Sequence, residues 1–417
     1  MVKLFKRKGR KKRAPVPNET GSAPLQAQTG NELQEYKARL SRNRKKNLIR
    51  TLVVIGIVAV AVCLLLFLVQ RRKYNSYRVV ATSEQEDTVS TKYTELGGNL
   101  LKYSGESASL LNKDQETLWN VTYDEMQNPM IDECDGTVVI YDQDNVSMAI
   151  FDESGQIGSV TTNLNIVKAK VAKQGVVAAI LDGGDDTWIN FYASDGSLIA
   201  ENQTRVDDPG YPLDISVSPD GMMIMVAYQF VDGGQTTSYV AFYNFGSVGQ
   251  NQIDNIVSGY KYEGVVVPQV EYLDENTAVA FRDDGFTIYK GQEVPKEETT
   301  VEVDQEIVSA FYDEESIGLV FMNDSEENTD KQYVMEVYNK NGRQKFTTEF
   351  GISYTNIKMS GGQVVMHNSS QVCVISAQGV EKFNGTIDEG NISDFFKLGM
   401  NRYVLVLDNG LVTIKFK

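Results

Sequence analysis

One phrase returns six times between residues 149 and 383, and it constrains the fold more than any other feature. Each copy has two or three apolar or aromatic residues, a short polar turn with a glycine, and a further apolar pair. A repeat of about 40–50 residues that holds about four strands is typical of a β-propeller blade. An immunoglobulin-like array would need periods of about 100 residues. The turn glycines, spaced 37 to 51 residues apart, are Gly155, Gly196, Gly246, Gly291, Gly342 and Gly379.

The segments on either side of these six units predict the number of blades. An orphan phrase at 107–120 precedes the first unit, and residues 391–417 read as three strands without a fourth. A propeller closes its ring when one blade takes strands from both termini. We therefore predict an all-β, seven-bladed propeller with one shared blade. Eight blades are the alternative, if the stalk before residue 95 holds a further strand.

Residues 51–70 carry no charge, and the composition changes across them. Residues 1–50 hold 15 basic and three acidic residues, whereas residues 74–417 have a net charge of −31. Twenty uncharged residues in a helix span roughly 30 Å, the thickness of a membrane's hydrocarbon core. The segment therefore predicts one transmembrane helix in a cell membrane, with the lipid bilayer as a partner.

The charge on either side of this segment predicts its orientation. Basic residues before it, among them Lys45, Lys46 and Arg50, are expected to face lipid and to keep the N-terminus in the cytoplasm. The C-terminal domain is then extracytoplasmic. The predicted parts of the chain are a disordered basic tail (1–31), a juxtamembrane basic helix (32–50), the transmembrane helix (51–70), a stalk (71–94) and the propeller (95–417).

Several phrases carry a resemblance to known propellers. The "SPDG" turn at 218–221 resembles WD40-like and TolB-like propellers, and "KDQETLW" at 113–119 is similar to the quinoprotein-type repeat. With "LLKYSGESASLL", "VAFYNFGSVGQNQID" and "LDNGLVTIKFK", the chain resembles a domain-of-unknown-function family of Gram-positive single-pass membrane proteins with a WD40-like ectodomain. The resemblance implies a fold and a location, and it implies no activity.

Residues that could carry catalysis are few. The single histidine, His367, excludes multi-histidine metal sites, and no nucleophile-elbow motif accompanies it. Two acidic phrases hint weakly at calcium, although neither matches an EF-hand loop; they hold Asp142 and Asp144, and Asp182, Asp185 and Asp186. We therefore predict no catalytic residue, no cofactor and no metal ligand, with calcium as the one open alternative. Asp220 of the "SPDG" turn is predicted to form the turn.

The phrase "YNFGSVGQNQID" is the least ordinary of the repeats. It combines aromatic rings with amides, which suits the recognition of sugar or peptide, and "GYPL" at 210–213 is expected to line the same face. An extended hairpin packed between blades is the structural alternative. The candidate binding residues are Tyr211, Tyr243, Asn244, Phe245, Gln250 and Asn251.

The cysteines predict no disulfide. Cys63 lies in the uncharged segment, and Cys134 and Cys373 fall in different predicted blades. A disulfide between the latter two would have to cross a blade, which exceeds the Cα separation of about 7 Å that a disulfide allows. We predict that both are free and buried.

The sequence favours a membrane-anchored binding or scaffolding module of the cell envelope. Its expected partner is an envelope or membrane protein, and no nucleic-acid partner is predicted. The net charge of −31 should repel anionic wall polymers and favour cationic partners or divalent ions. The prediction leans against an enzyme. Two alternatives stay open: a carboxylate-dependent hydrolase of envelope glycan or peptide, and a ligand sensor that signals through the basic tail.

Overall fold

The computed structural model describes residues 48–61, 71–84, 87, 90–204, 209–324, 330–408 and 410–417. The chain divides into two compact units, Met1–Gln70 and Arg71–Lys417. The described part of the first unit is a helix over 48–61, which exposes Arg50. The described part of the second unit consists of 32 β-strands and two one-turn 3₁₀ helices.

The transmembrane helix predicted over 51–70 needs correction. No helix in the described part of the chain is long and apolar enough to cross a membrane. Residues 62–70, Lys45 and Lys46 lie outside the described residues. The cellular location stays a prediction.

The strands of the first half of the second unit are short and follow one another closely. In chain order they are β1 (Tyr77–Glu84), β2 (Lys92–Leu96), β3 (Asn99–Tyr103), β4 (Ser107–Leu111), β5 (Thr117–Thr122), β6 (Pro129–Cys134), β7 (Thr137–Asp142), β8 (Ser147–Asp152), β9 (Gly155–Thr161), β10 (Asn165–Val171), β11 (Val177–Asp182), β12 (Thr187–Tyr192), β13 (Leu198–Thr204), β14 (Tyr211–Val217), β15 (Met223–Asp232) and β16 (Gln235–Asn244).

The 3₁₀ helices Gly249–Asn251 and Ile253–Asn255 interrupt this series after β16. The remaining strands are β17 (Ile256–Glu263), β18 (Gln269–Asp274), β19 (Thr277–Arg282), β20 (Gly285–Lys290), β21 (Lys296–Glu302), β22 (Ile307–Asp313), β23 (Ser316–Met322), β24 (Tyr333–Asn339), β25 (Gln344–Phe350), β26 (Asn356–Ser360), β27 (Gln363–His367), β28 (Gln371–Ser376), β29 (Glu381–Thr386), β30 (Ile392–Gly399), β31 (Arg402–Leu407) and β32 (Gly410–Phe416).

The strands form eight four-stranded antiparallel sheets, the blades of a β-propeller. Seven blades take four consecutive strands each, from β2–β5 (blade 1) to β26–β29 (blade 7). Blade 8 has the order β1-β32-β31-β30, so an N-terminal strand completes three C-terminal ones. Tyr77 pairs with Phe416 and Glu84 with Gly410, and this pairing closes the ring.

The prediction of seven blades is wrong, and the alternative of eight is the observed number. The phrase at 107–120 does not belong to a shared blade, because it forms β4 and β5 of a complete blade. The additional strand that eight blades require is Tyr77–Glu84, inside the predicted stalk. Its side chains are mostly exposed, so it lacks the apolar run by which the other blades were counted.

Packing between neighbouring blades makes the core. The second and third strands of a blade are buried on both faces, as in β7 and β19, whereas outer strands such as β5 alternate between exposed and half-buried residues. Buried side chains of adjacent blades meet in shared clusters; Ile150 of blade 2, for example, packs in one cluster with Ala179 of blade 3. Burial on both faces explains the continuous apolar runs of the repeated phrase.

Most of the turn glycines have a positive φ, and the predictions for the cysteines are confirmed in part. Gly196 and Gly342 have φ values of 84° and 72°, which a residue with a Cβ adopts at a cost. Cys134 and Cys373 are both free, Cys373 buried and Cys134 partly so. Cys63 lies outside the described residues.

Candidate functional site

The innermost strand of each blade lines the central channel, and polar side chains from these strands meet inside it. At the centre is Lys170 of β10, which is 9% exposed. Its ammonium nitrogen lies 2.8 Å from Oδ1 of Asp132 and 2.6 Å from Oε2 of Glu271. One lysine of blade 3 therefore joins carboxylates of blades 2 and 5. We call these three residues, with Ser216 and Tyr312, the channel network.

Glu271 accepts two further hydrogen bonds in this network. The hydroxyl of Tyr312 donates to Oε2 over 2.5 Å, and the hydroxyl of Ser216 donates to Oε1 over 2.7 Å. Ser216 also accepts a hydrogen bond from the backbone N–H of Tyr272 over 2.9 Å. Side chains from blades 2 to 6 are thus joined in one group, which fills the channel with ionic and hydroxyl groups.

The pKa values of the network follow from burial and from the lysine. Burial lowers the pKa of Lys170, but Asp132 and Glu271 outweigh it and hold that pKa well above its usual value. Burial raises the pKa of Glu271, yet the Lys170 ammonium and the hydroxyl donors bring it below the ordinary value. For Asp132, burial together with the nearby Glu271 prevails over Lys170, and the pKa is raised.

Two carboxyl groups with pKa values shifted in opposite directions are also what glycoside hydrolysis uses. In this channel, however, the Lys170 ammonium occupies the space between Asp132 and Glu271. A scissile bond would need that space. The arrangement therefore neutralises charge and joins blades, which matches a structural role better than a hydrolytic one.

Direct links between neighbouring inner strands repeat around the ring. Oδ2 of Asp132 accepts the N–H of Val171, and Oδ2 of Asp214 accepts the N–H of Val270, each over 2.9 Å. Each bond joins a side chain of one blade to the backbone of the next. Polar side chains on the inner strands thus keep adjacent blades in register.

A second ionic group lies in the same channel on blades 7 and 8. Lys358 of β26 lies 2.5 Å from Asp394 of β30. Nε2 of His367, which is buried, lies 3.7 Å from the same carboxylate. Burial alone would raise the pKa of Asp394, but His367 and Lys358 lower it below its usual value. The single histidine of the chain therefore contacts a carboxylate in the propeller core.

A cavity of about 280 Å³ opens above the channel network and forms the mouth of the channel. Its floor includes Lys170, Glu271 and Tyr312. A neighbouring cavity of about 390 Å³ shares part of this wall and adds Asp274 and Glu275. We call the rim of the first cavity the acidic mouth; its defining carboxylates are Glu133, Asp135, Asp313 and Glu314.

The acids of the mouth are crowded together. Asp135 of blade 2 and Glu314 of blade 6 both line the two cavities. Partial removal from water, and then the nearby Asp135, raise the pKa of Glu314. Removal from water also raises the pKa of Glu133 to about 7, although the N–H of Gly136 opposes the shift.

Cations are scarce at the mouth. Lys173 lies 3.4 Å from Asp135, and Lys340 on the rim is shared by Asp274 and Glu315 at 3.0 and 2.7 Å. Within the described residues, neither Glu133 nor Glu314 makes an ion pair. The acidic mouth therefore keeps an excess of negative charge.

The "SPDG" turn lies on this rim. The Ser218 hydroxyl donates to Oδ1 of Asp220 over 2.6 Å, and the N–H of Met222 donates to the same oxygen over 3.1 Å. Gly221 has a φ of 66°. Pro219 lines both cavities. Asp220 holds the turn together, as predicted.

The candidate binding residues around β16 are mainly packed inside the protein. Tyr243 is buried, and its hydroxyl lies 2.6 Å from that of Tyr228. Asn244 is also buried and donates to the carbonyl of Glu293 in blade 5 over 2.9 Å. Phe245 stacks on Phe191 with ring centroids 4.7 Å apart. These three side chains join blade 4 to its neighbours.

The other candidates do not form one surface with these three. Gln250 and Asn251 are exposed in a 3₁₀ helix after β16. Tyr211, which is 42% exposed, pairs with Gln229 at the opposite end of the blade from Asn244, which pairs with Met223. The structure therefore brings Tyr243, Asn244 and Phe245 together and separates Tyr211 from them.

Sequence reasoning missed the channel network. Lys170, Asp132 and Glu271 lie in "NIVKAKV", "PMIDEC" and "QVEYLD", each the innermost strand of its blade. A charged residue within a short, largely apolar strand was the available signal. Aspartates of the calcium hypothesis have other roles: Asp142 accepts the N–H groups of Gln127 and Asn128.

No group of three or more histidine, cysteine or acidic residues arranged to hold a metal occurs in the described ranges. Calcium binding and the absence of a cofactor both stay predictions.

A family model described as a family of unknown function, DUF5711, matches residues 70–416. The chain belongs to this family. Two parts of the sequence resemblance are thus confirmed: a family without assigned function, and a propeller fold. The Gram-positive membrane context stays a prediction. No curated protein matches the chain.

Solved structures are similar in fold. A crystal structure of the eukaryotic initiation factor is 8% identical, covers 83% of this chain and 88% of its own, and superposes with a TM-score of 0.50. The Pan2 WD40 domain of Neurospora crassa is 12% identical, covers 69% and 88%, and has a TM-score of 0.41. At this identity the first likeness shows the fold alone.

Proposed function

We propose that this propeller is a binding and scaffolding module whose acidic mouth takes a cationic segment of a partner protein. The observation that carries the proposal is that Asp135 and Glu314, from two different blades, line the same two cavities. The acids of the two blades lie close together there, and the described residues around them include fewer lysines and arginines than would be needed to balance their charge. A lysine or arginine of a partner would relieve this repulsion.

The shape of the mouth supports the same function. The cavity of about 280 Å³ has the volume to hold one long side chain, and the adjoining 390 Å³ continues the acidic wall. Tyr272 lines the cavity, is 7% exposed, and has a hydroxyl without a hydrogen-bond partner among the described residues. Buried hydroxyls normally have a partner, so a ligand that supplies one would be favoured.

The charge of the domain adds long-range attraction. Residues 74–417 carry a net charge of −31, which speeds the approach of cationic partners and repels nucleic acid. The rigid ring presents the mouth without the need for a conformational change. The catalytic alternative has less support, because Lys170 fills the space between the two acids of the channel.

The test uses the full chain and a fluorescent hexalysine peptide, with a hexa-alanine-based peptide of the same length as the neutral probe. We expect hexalysine alone to bind, and its affinity to fall as salt is added. The variant Asp135→Asn/Glu314→Gln removes the paired acids. It should weaken binding by at least about tenfold, since charged contacts in a partly enclosed site exceed those on open surface.

The matched control removes two charges elsewhere. Glu263 and Glu298 are exposed on outer strands and lie outside both cavities. The variant Glu263→Gln/Glu298→Gln has the same net charge as the mouth variant, and it should bind hexalysine as the wild type does. Equal weakening in both variants would mean that attraction is spread over the whole domain, and the mouth would not be the site.

A further inference from the structure

Three cations lie in a row across blade 8, the blade that closes the ring. Arg78 of β1 pairs directly with Lys415 of β32. Tyr403 of β31 pairs with Ile414, so the same antiparallel register places Arg402 opposite Lys415. Residues that lie opposite each other project from the same face of a sheet, with Cα atoms about 5 Å apart. We call Arg78, Lys415 and Arg402 the cation ladder.

The contacts on both faces of the blade agree with this register. The side chain of Asn401 donates to the carbonyl of Phe416 over 2.9 Å and accepts the N–H of the same residue over 3.3 Å. Ile414 and Phe416 pack against blade 7. Since successive side chains of a strand alternate between its faces, Lys415 projects from the other face, which is turned toward blade 1.

Blade 8 supplies the ladder with no counter-charge of its own. Its described strands contain two acids, Glu84 and Asp394. Glu84 is at the other end of β1, where it pairs with Gly410, and Asp394 lies 2.5 Å from Lys358 in the channel. Like charges directly opposite each other destabilise a sheet. The ladder therefore costs stability that a bound anion would restore.

A turn of blade 1 balances part of this charge. Nη1 of Arg402 lies 3.0 Å from Oδ1 of Asp114, whose side chain is 72% exposed. The other acid of the turn, Glu116, accepts a hydrogen bond from a side chain of its own turn over 2.9 Å. Among the described residues, Arg78 and Lys415 form no ion pair. Two of the three ladder cations thus keep their charge for a ligand.

Exposed apolar side chains lie beside the cations. Met400, in the two-residue turn between β30 and β31, is 100% exposed, and Arg402 follows it two residues later. On β1, Val79 and Val80 come directly after Arg78 and are 43% and 42% exposed. Surfaces that bind anionic lipid combine these two features, because cations attract the head groups and apolar side chains enter the acyl boundary.

We infer that the cation ladder binds the phosphate groups of an anionic lipid surface, with Met400 inserted at the boundary between head groups and acyl chains. Two of the ladder residues are arginines, whose guanidinium groups donate paired hydrogen bonds to phosphate. The charge of −31 on residues 74–417 opposes this contact only weakly, since exposed charges more than about 8 Å away are screened at physiological ionic strength. The ladder and the acidic mouth lie on different blades, so the two sites are independent.

The test follows the environment of residue 400 in the full chain. The basic residues of segment 1–50 are themselves expected to attract anionic vesicles, so vesicle binding as such would not report on the ladder. A nitrobenzoxadiazole fluorophore on Met400→Cys shifts its emission to the blue when it enters lipid. We expect this shift with phosphatidylglycerol vesicles and none with phosphatidylcholine vesicles. The unsubstituted chain, labelled in the same way, gives the background from the natural cysteines.

The variant Arg78→Gln/Lys415→Gln removes two ladder cations. At saturating vesicle concentration, the ratio of lipid-inserted to water-exposed label should fall at least about tenfold, because each basic residue near an anionic surface contributes about fivefold. The matched control is Arg343→Gln/Lys296→Gln, since both residues are exposed, belong to blades 6 and 5, and lose the same net charge. This control should keep the ratio of the labelled chain without further substitution.

Three results would overturn the inference: no blue shift, an equal shift with both lipids, and an equal loss in the ladder variant and its control. Loss of the shift on adding inorganic phosphate, but not chloride at equal ionic strength, would assign the ladder to free phosphate instead. Binding of hexaglutamate by the wild type but not by the ladder variant, without a shift on vesicles, would assign it to an acidic protein segment.

Two further measurements keep these outcomes separate from other causes. Circular dichroism of both double variants shows whether the fold is intact. Hexalysine binding to the same preparations tests the acidic mouth by itself, so a failure of the ladder and a failure of the mouth are distinguishable.

Discussion

The channel network and the acidic mouth both contain carboxylates on or just after the innermost strands, yet they differ in how their charge is balanced. In the network, Asp132 and Glu271 share the ammonium of Lys170. In the mouth, a few residues further along, Asp135 and Glu314 line the same cavity wall. The network is buried and paired, whereas the mouth is open to water and keeps unpaired acids.

This difference separates a structural site from a binding site. A buried acid without a cation would cost several kcal/mol, so the interior of the channel had to be neutralised when the blades closed. At the rim, water screens the acids, and the excess negative charge is tolerable until a partner arrives. Three changes test this contrast, in order of decreasing effect.

Removing the cation of the network should have the largest effect. Lys170→Met leaves Asp132 and Glu271 buried without their shared counter-charge, and we expect the free energy of unfolding to fall by about 3–5 kcal/mol. Urea unfolding followed by tryptophan fluorescence measures the loss.

The control for Lys170→Met neutralises the whole group. In Lys170→Met/Asp132→Asn/Glu271→Gln no charge remains buried, so the triple variant should recover most of the lost stability. A triple variant as unstable as the single one would show that the lysine acts through packing, and the contrast with the mouth would then fail.

Removing the cation of the second ionic group should cost less. Lys358 and Asp394 have side chains that are 27% and 22% exposed, and His367 stays beside the carboxylate. We expect Lys358→Met to lower the free energy of unfolding by about 1 kcal/mol, since water and His367 compensate for part of the missing charge. If Lys358→Met lowered the free energy of unfolding as much as Lys170→Met in the same urea experiment, the cost of removing a cation would not depend on how exposed its ion pair is.

The smallest effect concerns the pH dependence of the mouth. The pKa of Glu133 is raised from 4.5 to about 7 in the folded protein. A raised pKa contributes stability below the unfolded value of 4.5, and the contribution is lost as the pH rises through about 7. Compared with wild type, Glu133→Gln should therefore become relatively more stable between pH 4.5 and 7 and change little outside this window.

Because Glu133 is exposed at the mouth, the gain should stay below about 1 kcal/mol. Urea midpoints of wild type and Glu133→Gln at pH 4.5, 6, 7 and 8 measure it, with Glu298→Gln as the control for loss of an exposed carboxylate outside the mouth. A constant difference between wild type and Glu133→Gln at all four pH values would contradict the raised pKa.

The sequence by itself determined the repeating unit, the all-β class and the conformation of single turns. These properties are local: the alternation of apolar runs with glycine turns is complete within about ten residues, and Gly221 and Asp220 need only their neighbours to form a turn. The free state of Cys373 also followed from the repeat.

Only the tertiary structure decided the number of blades and the location of the charged sites. Tyr77 pairs with Phe416, which lies at the other end of the domain's sequence. No local pattern in a mostly exposed strand predicts a pairing partner so distant in sequence. Lys170 meets Glu271 because two inner strands about a hundred residues apart face one channel. Tyr211 and Asn244 are near in sequence but lie at opposite ends of a blade. Periodicity specifies what each strand buries, and ring closure specifies which side chains meet.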